Sequence, residues 1–365
     1  MLTSEEAPQR PYFLALDRVL GSVPQADLAP LVSEDARRRI ARLAGELGIP
    51  VQTACYECRL AANDDRVDLA ACLFPPDSPA PTDLGQSTAF SALRGTFANN
   101  ADWTRTLELL EAWSAPGSSL RGRIPFIWIA FDIDRELSRL PSPCVGLCID
   151  PAFFARRLDS PHQVAEDIST LETLADSFNR FFAGAGLTDT TKALLRACLE
   201  EPGLEAKHLS YMLGRASAPF KLDVRLDVDR VADYLQRIGW PGPARKVAAS
   251  LRELAPSAGK IQLNLVLQPQ LTQPLEVEFF TMTAEAPAVE RKLFLETLVA
   301  KGLCSPDKAD VLWRLVEEPV GDAGGQAVAR GWYVKVRFID DVPTEAKAYL
   351  GLMPRPGRSS SGGAP

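Results

Sequence analysis

The residues with most chemistry in reach lie in the last hairpin, Gly331 to Leu352, where basic and aromatic side chains recur at every second position. Tyr333, Lys335 and Arg337 share one face of an extended strand and Val334, Val336 and Phe338 the other. In the returning strand Lys347, Tyr349 and Gly351 oppose Ala348, Leu350 and Leu352. Such a hairpin rests its apolar side on other structure and turns its cationic and aromatic side to water or a polar cavity. A plainer alternative is a solvated face whose cations pair with acids across the strands. Cys55 and Cys58 have CxxC spacing, but they fall in a strand pattern that sends them to opposite faces, a poor zinc geometry. With only His162 and His208 as histidines, no metal site is expected. Glycine-rich phosphate loops, HExxH and nucleophile-elbow motifs are absent, as is a helical DDxxD; Asp64-Asp65 and Asp340-Asp341 read as hairpin turns.

Four earlier segments repeat the same strand pattern. Val51–Leu60 with Arg66–Phe74 is the first hairpin, Pro125–Asp134 with Cys144–Asp150 the second, Lys207–Leu213 with Phe220–Leu226 the third, and Lys260–Gln268 with Leu275–Phe280 the fourth. Helical patterns separate them. Ser33 caps a helix to Glu46; Ser87–Phe97 and Asn100–Ala115 follow the first hairpin, and Ser160-Pro161 opens a long helix with Val164, Ile168, Leu171, Phe178 and Phe182 on one stripe. Asp189–Leu199, Asp229–Ile238, Pro243–Leu254, Pro287–Ala300 and Pro306–Val316 are helical, and Pro11–Leu20 is a short candidate.

The repeats run roughly 33–74, 87–150, 161–226, 229–280 and 287–352, within a single domain 1–352 followed by a low-complexity tail, 353–365, expected to be unstructured. Ten antiparallel strands in an open sheet would leave long edges, so closure into a barrel is expected. The fold class is α+β: a ten-stranded antiparallel barrel ringed by helices. Helices bury their stripes on the apolar strand faces, so the polar faces line a solvent-filled lumen.

Composition limits the functions open to such a barrel. The chain has 365 residues, 46% of them hydrophobic, and a net charge of −7 with no basic run, which argues against nucleic acid as partner. No apolar run is long enough to span a membrane, and the polar N-terminus does not read as a secretory signal, so a soluble cytoplasmic protein is expected. Seven scattered cysteines read as reduced thiols.

Five αββ repeats closing into a barrel resemble the ABBA, or PT-barrel, family of aromatic prenyltransferases. Local matches are IAFDID at Ile129–Asp134, KAYLGL at Lys347–Leu352, and YECRL at Tyr56–Leu60 followed by VDL at Val67–Leu69. The resemblance implies a prenyl diphosphate held in the lumen by lysine and arginine, an allylic cation shielded by tyrosine rings, and a glutamate that accepts the acceptor's proton, with no cofactor and no strictly required metal. It implies Glu57 as base and Arg59, Lys335, Arg337 and Lys347 on the phosphates. Tyr349 with Tyr333 would shield the cation, and Lys221 and Arg225 stand where the family has a basic strand. Trp128 is a candidate stacking platform for an aromatic or peptidic acceptor.

The pattern departs from the family at Gly146, Cys148, Asp223, Glu276 and Glu278. Six lumenal cations then meet six acids. A diphosphate would be held from one side only, and the acidic side, with Glu276 and Glu278, would suit a cationic or amide-rich acceptor. Three readings stay open: prenyl transfer, a barrel rewritten to bind or modify another natural-product or peptide substrate, and a non-catalytic ligand-binding barrel.

Overall fold

The computed structural model describes residues 14–74, 93–133, 141–149, 161–215, 220–280, 286–317 and 328–354. Asp134, Asp150, the stretch 75–81, the first part of the Ser87–Phe97 helix and the tail beyond Pro354 lie outside these residues.

Alternating strands close into one barrel. β3 (Thr53–Arg59), β4 (Val67–Leu73), β5 (Ile127–Phe131), β6 (Cys144–Cys148), β7 (Glu205–Met212), β8 (Phe220–Asp227), β9 (Lys260–Val266), β10 (Leu275–Phe279), β11 (Val328–Ile339) and β12 (Val342–Pro354) each pair antiparallel with the next, and β12 returns to β3. This is the expected barrel. The closing register sets Lys347 against Arg59, Tyr349 against Glu57 and Leu352 against Ala54, so the chain's last strand completes the wall begun by its first long one.

Two short strands lie outside the barrel. Leu14–Ala15 (β1) pairs with Pro50–Val51 (β2), which corrects two expectations. The first helix is shorter than Pro11–Leu20, running Leu16–Gly21, and Val51 belongs to this small ribbon instead of the first barrel strand. The tail also starts later than expected, because Met353 and Pro354 still pair with β11.

Outward faces of the strands are the core. Tyr56, Leu69, Ile129, Phe131, Leu222, Val224, Val277, Phe279, Val334 and Val336 are all at most 1% exposed. Each such side chain is worth about 1.5–3 kcal/mol of burial, so the helical ring and the strand faces hold one another. Helix Glu34–Leu47 starts where Ser33 accepts from Ala36 N–H and ends at Gly48, whose φ of 55° a side-chain-bearing residue rarely adopts. Asn100 caps helix Ala101–Ser114 by accepting from Asp102 and Trp103 N–H, and Trp103, Leu107, Leu110 and Trp113 are buried along its stripe.

Two residues of helix Pro306–Glu317 brace the wall that carries the basic residues. Leu312 carbonyl accepts from Trp332 Nε1 at 2.8 Å, which pins β11. Lys308 Nζ donates to the carbonyls of Arg59, Ala61 and Asp64 at 2.8, 2.9 and 2.6 Å, bracing the turn that follows Glu57 and Arg59. The buried ammonium thereby finds three acceptors, and the hairpin end loses freedom to splay.

Candidate active site

Inward side chains on β11, β12 and β3 bring the candidate chemistry together. Tyr333 and Tyr349 are cross-strand partners whose rings stack at 4.6 Å with planes 5° apart, and Phe280 continues the stack at 4.2 Å from Tyr333. One residue nearer the hairpin end on each face, Lys335 and Lys347 are again direct partners, and Lys335 Nζ lies 5.2 Å over the Tyr349 ring. An aromatic layer therefore sits beneath a layer of ammonium groups.

Every one of those ammoniums has a carboxylate. Lys347 Nζ donates to Glu57 Oε1 at 2.9 Å, Lys335 Nζ is 2.8 Å from Glu278 Oε1 and 3.8 Å from Glu276 Oε2, and Lys221 Nζ donates to Glu276 Oε2 at 3.0 Å. Arg59 donates to Glu57 Oε1 at 3.2 Å and to Asp68 Oδ2 at 2.8 Å. Its Nε is 2.9 Å from Glu345 Oε1, a charge contact without hydrogen-bond alignment. These pairs occupy much of the bore. The space left is about 150 Å³, well short of the solvent-filled interior expected from the sequence and below the 300–1,000 Å³ of usual ligand pockets.

Burial and charge pull the lumenal groups apart. Burial alone would raise the Glu57 carboxyl, but Lys347, Lys335 and Arg59 outweigh it and hold it at about 2. Glu276 is likewise held well below the carboxylate range, by Lys221, Lys335 and Lys347 acting against burial. Glu278 moves the other way: burial, with Asp223 nearby, pushes it up despite Lys335. Burial also raises both tyrosines, and the Glu57 carboxylate adds to the shift at Tyr349.

The opposite wall, β7 to β9, has a different character. His208 and Asp223 are register partners, with His208 Nδ1 3.3 Å from Asp223 Oδ2. Burial would lower this histidine, yet hydrogen bonds to Asp223 and Cys148 lift it to about 10. Gln262 Nε2 donates to Glu278 Oε2 at 3.0 Å, tying this wall to the basic one. Between the two walls, Ala70, Ala130 and Gly146 supply the open space, and Trp128 borders it.

Glu57, Trp128, Lys221, Glu276, Glu278, Tyr333, Lys335, Lys347 and Tyr349 all line the cavity. Three expected binding residues do not. Arg59 is buried under its three carboxylates. Arg225 stacks on Phe280 at 4.8 Å, beyond the cavity. Arg337 has a 41% exposed side chain at the hairpin rim, 3.8 Å from Glu345. In the register Arg59 stands opposite Lys347, and Arg337 lies one inward position beyond Lys335 toward the hairpin turn. His208, Asn264, Arg215 and Glu345 had not been selected from sequence. For Asn264 the signal was present, because alternation puts it on the polar face of its strand with Gln262; His208 follows a register shift in β7, which simple alternation does not place. Arg215 pairs with Asp132 across two hairpin ends, a contact no local pattern encodes. Among the described residues no group of three or more His, Cys, Asp or Glu is arranged to hold a metal ion, and no helix is long and apolar enough to cross a membrane.

The apo crystal structure of the prenyltransferase PriB is similar to this chain, with a TM-score of 0.51 over 94% of this chain and 98% of that one. Sequence identity is 12%. The likeness is one of fold. No family model and no curated protein matches the sequence.

Proposed function

We propose that this protein is a prenyltransferase-type enzyme that takes a prenyl diphosphate and an aromatic or peptidic acceptor in its lumen. The observation that supports it most is the convergence of Lys335 and Lys347 over the stacked Tyr333 and Tyr349 rings beside Glu57. Ammoniums suit a diphosphate leaving group, and π faces suit an allylic cation.

In this reading the diphosphate enters by exchanging partners. Its oxygens take Lys221, Lys335 and Lys347 from Glu276, Glu278 and Glu57, and the side chains swing aside to widen the cavity. The allylic C–O bond then breaks, the bonding pair leaving with the diphosphate. A carbon or heteroatom of the acceptor forms the new bond to the allylic carbon, and the proton released goes to Glu57. With its pKa held at about 2, Glu57 is a feeble base in the unliganded lumen. Loss of Lys347 to the diphosphate raises its proton affinity at the moment a base is needed.

A second reading has its own support. Each lumenal lysine already has a carboxylate within 3.0 Å, so the bore carries no surplus positive charge for a diphosphate. Under that reading the clamp has been rewritten, and the barrel binds or modifies another natural-product or peptide substrate. Calorimetry with dimethylallyl thiolodiphosphate separates the two. The first reading expects binding by the native protein and its loss in Lys347→Ala and in the charge-balanced double variant Lys347→Met with Glu57→Gln. No heat from the native protein at high micromolar concentration would favour the second.

A further inference from the structure

On β8 and β9, two buried polar atoms have no partner: Asp223 Oδ1 and Asn264 Nδ2. The two residues are register partners on β8 and β9, are 9% and 3% exposed, and both line the cavity. Asp223 Oδ2 is engaged by His208, which leaves Oδ1 as a free acceptor. Asn264 Nδ2 beside it is a free donor. Orphaned buried groups cost stability, and a core can remove that cost simply by placing apolar side chains there. Here two such atoms of opposite type stand on adjacent strands, with Cβ atoms about 4.5–5.5 Å apart as for any cross-strand pair.

We propose that Asp223 and Asn264 form a recognition site for an amide edge, a lactam or carboxamide presenting N–H to Asp223 Oδ1 and C=O to Asn264 Nδ2. A trans peptide group points its N–H and C=O in opposite directions, so the complementary ligand is a ring lactam, a cis amide or a primary carboxamide. The inference deepens the transferase reading, on which it rests only for calling this molecule the acceptor. Ser210 and Trp128 border the same cavity.

The cavity sets the probe. A void of about 150 Å³ admits a benzene-sized molecule. 2-Pyridone is a single aromatic ring with N–H and C=O on one edge, and N-methyl-2-pyridone lacks the donor. Saturation-transfer NMR titrations of both, on the full-length protein, test the site. The native protein should bind 2-pyridone about tenfold or more tightly than the N-methyl analogue, because the analogue brings no donor and leaves the buried Asp223 acceptor unpaired. Asn264→Leu should weaken both probes by a similar factor, about tenfold, because both present the carbonyl, and, by removing an orphan, raise Tm by roughly 2 °C. Asp223→Asn, whose amide puts a donor against the ligand N–H once His208 holds its oxygen, should abolish the preference for 2-pyridone. Equal binding of the two probes by the native protein, no 2-pyridone binding at millimolar concentration, 2-pyridone affinity unchanged by Asn264→Leu, or discrimination that survives Asp223→Asn would each overturn the proposal. Failure of the thiolodiphosphate experiment with discrimination intact would remove the transferase reading and leave the amide site standing.

Discussion

The wall built by β11, β12 and β3 and the wall built by β7, β8 and β9 face each other across one narrow bore, and they bury polarity in opposite ways. On the first, Lys335, Lys347, Arg59 and Glu57 each lie within 4 Å of an opposite charge, although Arg59 Nε makes no hydrogen bond. On the second, Asp223 and Asn264 each keep an atom without a partner. A saturated ion-pair network can admit an anion only by exchange, whereas an unsaturated pair is complementary to a neutral ligand as it stands. Under the transferase proposal this difference would put the charged donor beside Lys335 and Lys347 and the neutral acceptor beside Asp223 and Asn264.

Replacing one polar residue on each wall by leucine is the severest way to break that contrast. Arg59→Leu leaves Glu57 and Asp68 buried with a partner missing, and loss of one member of a buried charge network costs about 3–5 kcal/mol. Asn264→Leu should instead stabilise the protein by about 1 kcal/mol, since it removes an unpaired donor. Urea midpoints at constant slope read both changes. Two shifts of the same sign would erase the distinction between the walls.

The walls should also fail at opposite ends of the pH scale. Glu57 has its pKa held at about 2, below the unfolded carboxylate, so its contribution is complete above pH ~4.5 and is lost as pH falls toward 2. His208 is raised to about 10, above the unfolded imidazole, so its contribution is complete below pH ~6.5 and is lost as pH rises through 10. Each is on the order of 3 kcal/mol, from about 1.4 kcal/mol per pKa unit and allowing for the other charges that share the same partners. Glu57→Gln should flatten the acid limb of a stability profile and His208→Phe the alkaline limb. A profile whose two limbs respond to the same variant would mean that the networks titrate as one.

Much of this was legible in the residues themselves. Period-two alternation named ten strands and their inward faces, because a one-residue slip would have put Val334 and Phe338 into the bore and Lys335 into the core. The same alternation assembled Glu57, Lys335, Lys347, Tyr333 and Tyr349. Legibility ended at height along the barrel. Arg337 has the right parity and the wrong level, and parity carries no information about level because strand tilt and shear are set by closure of the whole sheet. Nor did counting charges reveal that Glu57 belongs to Lys347 and Glu276 to Lys221, since those pairings join strands distant in sequence. The short strand at Leu14–Ala15 was hidden because its only partner is Pro50–Val51 and two residues make no pattern.

The smallest expected effect concerns the gap between the walls. Gly146 sits between Trp128 on β5 and Ser210 on β7 in the register, and a Cβ there would meet Ser210 Oγ at 3.2 Å and Trp128 Cβ at 3.5 Å. The closer neighbour is a hydroxyl that can rotate away. Gly146→Ala should therefore change stability by less than about 1 kcal/mol, the crowding offset by the entropy that alanine removes from the unfolded chain. Gly146→Val adds branches that meet the tryptophan as well, and should cost about 2 kcal/mol. Binding of 2-pyridone should weaken in the same order, because both variants take volume from the cavity without touching Asp223 or Asn264. If Gly146→Val leaves 2-pyridone affinity intact, the ligand does not occupy the space between the walls, and the facing arrangement of charged and neutral sites loses its meaning.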